Sequence, residues 1–389
     1  MGRVPYDERL AHDALRLDRE LSRGYTQAMR IGVAAILTFG MCLWAGLAQA
    51  YPVGERHMQA HDPRAVLRDS ERRDVIRITV WHPASDMAQE QDLTIGPPDR
   101  PLFYVGESAP DGAFADDRRR PVILLSHGFG GTARMMGWFG TVLAAQGYIV
   151  IAVDHPGNNG ADPMTVAGAT LFWERPADLA VALAKVRADP ELGRRLDMLR
   201  VGVAGFSAGG FTSLAAAGAR VDLDRLQQFC ADRPQDGVCA PQREFAVSRE
   251  AEQAVLASPE AAAAVARSRG DLSLPEVRAA FVMAPAIVQA LDPASLRALR
   301  TPVSIILGVA DDVAPPNTNG SAAARAIPGA RLKALPGVGH YDFLSRCTPA
   351  GEAIAPDLCT VTVPRGETHR SALEAALRFF AQTLGGPPP

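Results

Sequence analysis

Two apolar rhythms alternate along this chain. Short unbroken apolar runs occur at residues 121–125, 148–153, 201–204, 279–283 and 303–307, with a weaker one at 332–335. Runs of this length without polar alternation are the pattern of strands buried on both faces of a parallel sheet. Between them lie segments of helical period. Residues 176–190 put Leu179, Leu183 and Val186 on one face, residues 208–217 are small, and a last helix is expected over 368–384 before the tail of glycine and proline. A helix from Thr132 to about Gln146 should stop at Gly147. Strand–helix alternation predicts an α/β fold with a mostly parallel central sheet and helices on both faces.

Other segments break the rhythm. Residues 51–73 are polar and read as an extended lead-in. Residues 74–81 alternate, with Val75, Ile76, Ile78 and Val80 apolar, and read as an edge strand ended by Pro83. Residues 84–120 are rich in Asp, Gly and Pro and read as loop with one possible strand. Residues 220–278 interrupt the alternation and hold an alanine-rich helical stretch at 248–267, so they read as a cap-like insertion within a domain spanning 74–389.

The N-terminus adds a location. Residues 31–47 are apolar and uncharged, Arg30 precedes them, and Ala48-Gln49-Ala50 closes them. This predicts a cleavable signal peptide cut after Ala50, hence a periplasmic or secreted protein with no stable membrane span afterwards. A signal anchor is the competing reading of so long a run. Residues 1–28 are charged and too long for an ordinary leader start, so translation from Met29 is the expected origin. Outside Cys42 in the apolar run, the cysteines number four. An even count in an exported chain suggests disulfides, and the sequence-local pairing, Cys230–Cys239 and Cys347–Cys359, is the most economical of three. No cysteine or histidine spacing resembles a metal site, and neither metal nor organic cofactor is expected. The net charge of −3 gives no basic surface for nucleic acid.

Gly205-Phe206-Ser207-Ala208-Gly209 spells G-x-S-x-G. The pattern arises by chance in a chain with 35 glycines, but here it joins an apolar strand to a small-residue helix. That setting predicts a strained turn presenting Ser207 as a nucleophile. A serine hydroxyl needs a base, and the base needs an acid to fix its tautomer. In this architecture the order is serine, acid, histidine. Only His340 and His369 follow Ser207. His340 lies in the glycine-rich loop after the last strand and is the expected base, whereas His369 sits at the charged start of the terminal helix. Asp311 or Asp312 follows the strand at 303–307, and G-x-x-D-x-x-x-P selects Asp311. The backbone N–H groups of Ala208 and Phe129, the latter in His127-Gly128-Phe129-Gly130-Gly131, are the expected oxyanion donors. His127 reads as structural; His155 and Trp173 could line the pocket but read first as packing residues.

Together these residues resemble the α/β-hydrolase superfamily. Within it the chain is similar to a bacterial group described as predicted dienelactone hydrolases and platelet-activating-factor acetylhydrolase-like lipases. The likeness rests on Thr79-Val80-Trp81-His82-Pro83-Ala84, Leu125-Ser126-His127-Gly128-Phe129-Gly130-Gly131, Val153-Asp154-His155-Pro156-Gly157, Gly205 through Gly210, Asp311 and Gly339-His340. It spans residues 74–384 apart from the insertion. Two departures matter. True dienelactone hydrolases resemble the chain but use cysteine where Ser207 stands. The eukaryotic acetylhydrolases resemble it but carry their acid after the next strand, which here ends Val282-Met283-Ala284-Pro285 without a carboxylate. The resemblance implies a serine hydrolase acting on carboxylic esters, with a small or lipid-like ester as its partner, and the leader pattern makes it an exported one. A peptidase or amidase on the same fold, or a non-catalytic binding protein, are the alternatives.

Overall fold

The computed structural model describes residues 50–386. The expected signal peptide and the alternative start at Met29 fall outside the described residues. Among these, eleven strands share one sheet. They are β1 (Val53–His61), β2 (Val75–Pro83), β3 (Gln91–Ile95), β4 (Phe103–Pro110), β5 (Arg120–Ser126), β6 (Ile149–Asp154), β7 (Leu196–Phe206), β8 (Val277–Met283), β9 (Val303–Gly308), β10 (Arg331–Leu335) and β11 (Arg346–Cys347). The spatial order is β10-β9-β8-β7-β5-β6-β2-β1-β4-β11, with β3 pairing β4. The six strands from β10 to β6 run parallel. β2 runs antiparallel to β6 on one side and to β1 on the other.

The runs in β5 to β9 bury both faces, as their lack of alternation requires, whereas the weaker run at 332–335 forms the outermost strand β10 and is exposed, with Leu332 at 45%. In β5, Val122 and Leu124 face the core shared with helices Arg175–Ala188 and Ala208–Ala216, through Leu179, Phe211 and Leu214. Ile123 and Leu125 face the opposite core, built with helices Gly137–Ala145 and Arg365–Leu384 through Phe139, Phe379 and Phe380. Each such buried side chain contributes about 1.5–3 kcal/mol.

Two expectations change. The strand at 74–81 is interior, because the supposed lead-in supplies β1 as its neighbour along nine register pairs. The period of β1 is masked by a charge. Glu55 occupies an inward position and is buried, where it accepts hydrogen bonds from Trp81 Nε1 and Ser108 Oγ, both at 2.9 Å. Burial alone would raise its pKa, but His57, Trp81 and Ser108 outweigh that and hold it low. Likewise, the polar stretch 84–120 contains the hairpin of β3 and β4. Its turn chemistry is legible in the sequence; its weak hydrophobic alternation is not.

The insertion forms helices Leu223–Asp232, Arg249–Leu256 and Ala262–Ser268. The first two bury no residue completely. The third is tethered to the sheet domain: Trp173 Nε1 donates to Ala264 O at 2.8 Å and Arg267 pairs with Glu174 at 2.9 Å. Disulfides join Cys230 to Cys239 and Cys347 to Cys359, with Cα–Cα separations of 5.3 and 5.8 Å. No helix among the described residues is long and apolar enough to cross a membrane.

Candidate active site

Every loop named from the sequence leaves the C-terminal end of a parallel strand, where ligand sites in such sheets form. β7 delivers Ser207 at a turn into the helix Ala208–Ala216. Ser207 sits at φ 56°, ψ −118°, a conformation that side chains other than glycine rarely adopt. The flanking glycines make it possible. A Cβ on Gly205 would overlap the Gly209 carbonyl, one on Gly209 would overlap the Ser126 carbonyl, and one on Gly210 would come within 2.8 Å of Pro285 Cα. Ser207 N–H donates to Met283 O at 2.9 Å and Ala286 N–H to Ser207 O at 3.1 Å, so β8's exit locks the turn. That exit is strained too, with Ala284 at φ 41° and Ile287 at φ 58°.

Three side chains from three loops meet here. His340 Nε2 lies 2.8 Å from Ser207 Oγ, and His340 Nδ1 lies 2.7 Å from Asp311 Oδ2. Asp311 Oδ1 accepts from Ala314 N–H at 2.7 Å, which fixes the carboxylate's second oxygen. Asp311 is buried and Asp312 is exposed. A chain of this kind can carry the hydroxyl proton to imidazole and hold the resulting charge. His369 stands apart: its ring stacks on Trp138 at 3.7 Å and its Nε2–H donates to Leu344 O at 2.9 Å. Burial lowers its pKa to about 4, so it is neutral.

Phe129 and Ala208 line one cavity with Ser207. In the loop after β5, Gly130 N–H donates to Asn158 Oδ1 at 3.0 Å and Gly131 N–H to Gly128 O at 3.2 Å. Phe129 N–H and Ala208 N–H have no protein acceptor among the described residues. The cavity holds about 630 Å³ and is roofed by the insertion, including Cys230 and Cys239. That volume suits a small organic ligand. No group of three or more His, Cys, Asp or Glu able to hold a metal occurs among the described residues.

A family described as the alpha/beta hydrolase family matches residues 122–352, more than half of the chain. The chain belongs to the alpha/beta hydrolase family. Its fold is that of a ferulic acid esterase from Streptomyces cinnamoneus, with a TM-score of 0.58 at 20% identity over 89% of this chain and 94% of that one. A puromycin-hydrolyzing peptidase of Mycobacterium tuberculosis is more distant, with a TM-score of 0.46 and 16% identity over 86% of this chain and 40% of that one. No curated protein matches the sequence.

Behind the site this alpha/beta hydrolase carries a buried polar network that sequence reading missed. Ser126 Oγ lies 2.9 Å from His155 Nε2, and His155 Nδ1 lies 2.8 Å from Asp178 Oδ2. The residue types repeat those around Ser207, but all three are wholly buried, so no substrate reaches them. Arg68, from the supposed lead-in, pairs with both Asp178 oxygens at 2.8 and 2.7 Å. Burial would raise the Asp178 carboxyl, but Arg68 and His155 outweigh it and hold it well below the carboxylate range. Burial, aided by Arg175, lowers His155 to about 3 and keeps it neutral. Its Nδ1–H therefore donates to Asp178 and its Nε2 accepts from Ser126.

The network reaches the loop of Phe129. His155 N–H donates to His127 Nε2 at 3.2 Å, so the His127 proton sits on Nδ1, which donates to Gly128 O at 2.6 Å. Burial keeps His127 neutral. Arg175 Nη2 donates to His127 O at 2.6 Å, and burial draws that guanidinium down to about 9. These donors fix the Gly128 and His127 carbonyls, and with them the loop that carries Phe129. Asp178→Ala should cost about 3–5 kcal/mol, because Arg68 is left as an unpaired buried charge. Replacing the pair together, Arg68→Met with Asp178→Leu, should recover part of it, since His155 Nδ1–H still loses its acceptor. Urea denaturation of both variants checks this; a single-variant loss under about 1 kcal/mol contradicts it.

Proposed function

We propose that this protein is an exported serine hydrolase that cleaves carboxylic esters. The observation that carries the reading is the continuous chain Ser207–His340–Asp311, at 2.8 and 2.7 Å, opening on a largely apolar cavity. Ser207 Oγ attacks the ester carbonyl carbon while His340 Nε2 takes its proton and Asp311 holds the imidazolium. The carbonyl oxygen becomes an oxyanion that accepts from Phe129 N–H and Ala208 N–H. The ester C–O bond then breaks, and His340 returns the proton to the departing alkoxide. Water repeats the sequence on the acyl-enzyme, releasing the acid and Ser207.

The two disulfides support an oxidising location such as the periplasm or the medium. Within the family we place the chain nearest the bacterial dienelactone hydrolase-like and acetylhydrolase-like group, on the motifs quoted above; Ser207 in place of cysteine argues against dienelactone hydrolysis itself. The insertion at 220–278 serves as the cap. Assays with p-nitrophenyl acetate and a peptide p-nitroanilide test the reaction class. Turnover of the ester and not the anilide is expected. Faster anilide cleavage would favour a peptidase, and failure of a fluorophosphonate to label the wild-type protein would mean a binding protein.

A further inference from the structure

We infer that the substrate joins a bulky apolar acid to a small alcohol; the inference rests on the esterase reading above. Two cavities meet at Ser207 and Phe129. The larger, of about 630 Å³, includes Ala208 and excludes His340. Its walls include Phe172, Leu226, Val238, Phe245, Ile287 and Val313. The smaller, of about 30 Å³, includes His340 and excludes Ala208.

Mechanism assigns the two halves of the ester to these spaces. His340 Nε2 must protonate the leaving oxygen, so the alcohol lies on the His340 side. With the carbonyl oxygen held by Phe129 and Ala208, the acyl chain extends the other way, into the larger space. The reverse placement would turn the leaving oxygen away from its only proton donor. A volume of 30 Å³ matches one water or a methoxy group, and the larger volume matches a drug-sized group. The small cavity also fits the water that hydrolyses the acyl-enzyme.

The small side is closed by contacts between three loops. Tyr341, next to His340, donates to Glu244 Oε1 at 3.1 Å. Glu244 belongs to the insertion, and its Cβ lies 2.9 Å from where a Cβ on Gly130 would be. The pair therefore clamps the His340 loop, the insertion and the loop of Phe129 around the alcohol position, with Met135 and Leu344 below. The insertion is also pinned to the acid loop, where Thr318 Oγ1 donates to Asp236 Oδ2 at 2.8 Å.

Isomeric esters test the assignment without a change in bulk or polarity. Methyl nonanoate and octyl acetate share one formula, as do methyl 3-phenylpropanoate and 2-phenylethyl acetate. The wild-type protein should hydrolyse each methyl ester with kcat/KM at least about tenfold higher than its acetate isomer, the ratio expected when a few methylenes lose their pocket. Glu244→Ala should narrow that ratio by raising the acetates. Equal rates, or faster acetates, overturn the inference while leaving the esterase reading intact. Loss of turnover on all four esters with fluorophosphonate labelling of Ser207 retained also overturns it. Absence of both turnover and labelling fails the esterase reading itself, and the inference with it.

Discussion

Ser207→Ala should lower kcat on a turned-over ester ~10⁶-fold, since removing the nucleophile of such a unit forfeits nearly everything the unit contributes. The residual rate over water should survive, because Phe129 N–H and Ala208 N–H belong to the backbone and are untouched. On the proposed mechanism the three side chains act in one proton path, so their losses should not add. His340→Ala alone should be nearly as damaging, and the double variant little worse than either single one. Steady-state kinetics with active-site titration checks this. A residual activity of a few per cent in Ser207→Ala, or additive losses in the double variant, would show that another group does the chemistry.

Asp311→Asn should lower kcat ~10⁴-fold with KM little changed. Asp311 Oδ2 sits 2.7 Å from His340 Nδ1 and requires a proton there. An amide at that place presents an N–H or a weaker acceptor, which either turns the ring to the wrong tautomer or leaves the imidazolium without its countercharge. The neighbouring Asp312 is exposed, and the carboxylate paired with His340 is that of Asp311, so Asp312→Asn should behave as wild type. Parallel kinetics of the two variants separate them; similar losses in both would mean that the charge of the loop, not its geometry, carries the effect.

What the sequence disclosed follows from how local each signal is. The parallel strands β5 to β9 are legible because burial on both faces removes the polar alternation from the chain itself. The serine turn is legible because glycines at 205, 209 and 210 answer steric demands within a few residues and with the neighbouring strand. Asp311 and His340 are legible because loops after successive strands must converge at one end of the sheet. β1 is not, because Glu55 occupies an inward position and is satisfied only by Trp81 and Ser108, distant in sequence. The Arg68–Asp178 pair spans 110 residues and has no local signature. The insertion is readable as helices, yet what it covers depends on side-chain contacts such as Glu244 with Tyr341 that no period encodes.

The backbone at Ser207, Ala284 and Ile287 sets a boundary for anyone engineering this enzyme. Conformations of this kind cost on the order of 1–3 kcal/mol each, and a β-branched isoleucine at φ 58° stands toward the upper end. A search scored by melting temperature alone would therefore drift toward glycine at these positions and gain stability while dismantling the turn that presents the hydroxyl. Thermostable variants are better sought where the chain carries no such tension. Met87 and Leu199, at 82% and 80% exposure, are apolar surface positions far from that constraint in role. Holding 207, 284 and 287 fixed while redesigning such sites keeps folding stability and turnover from competing.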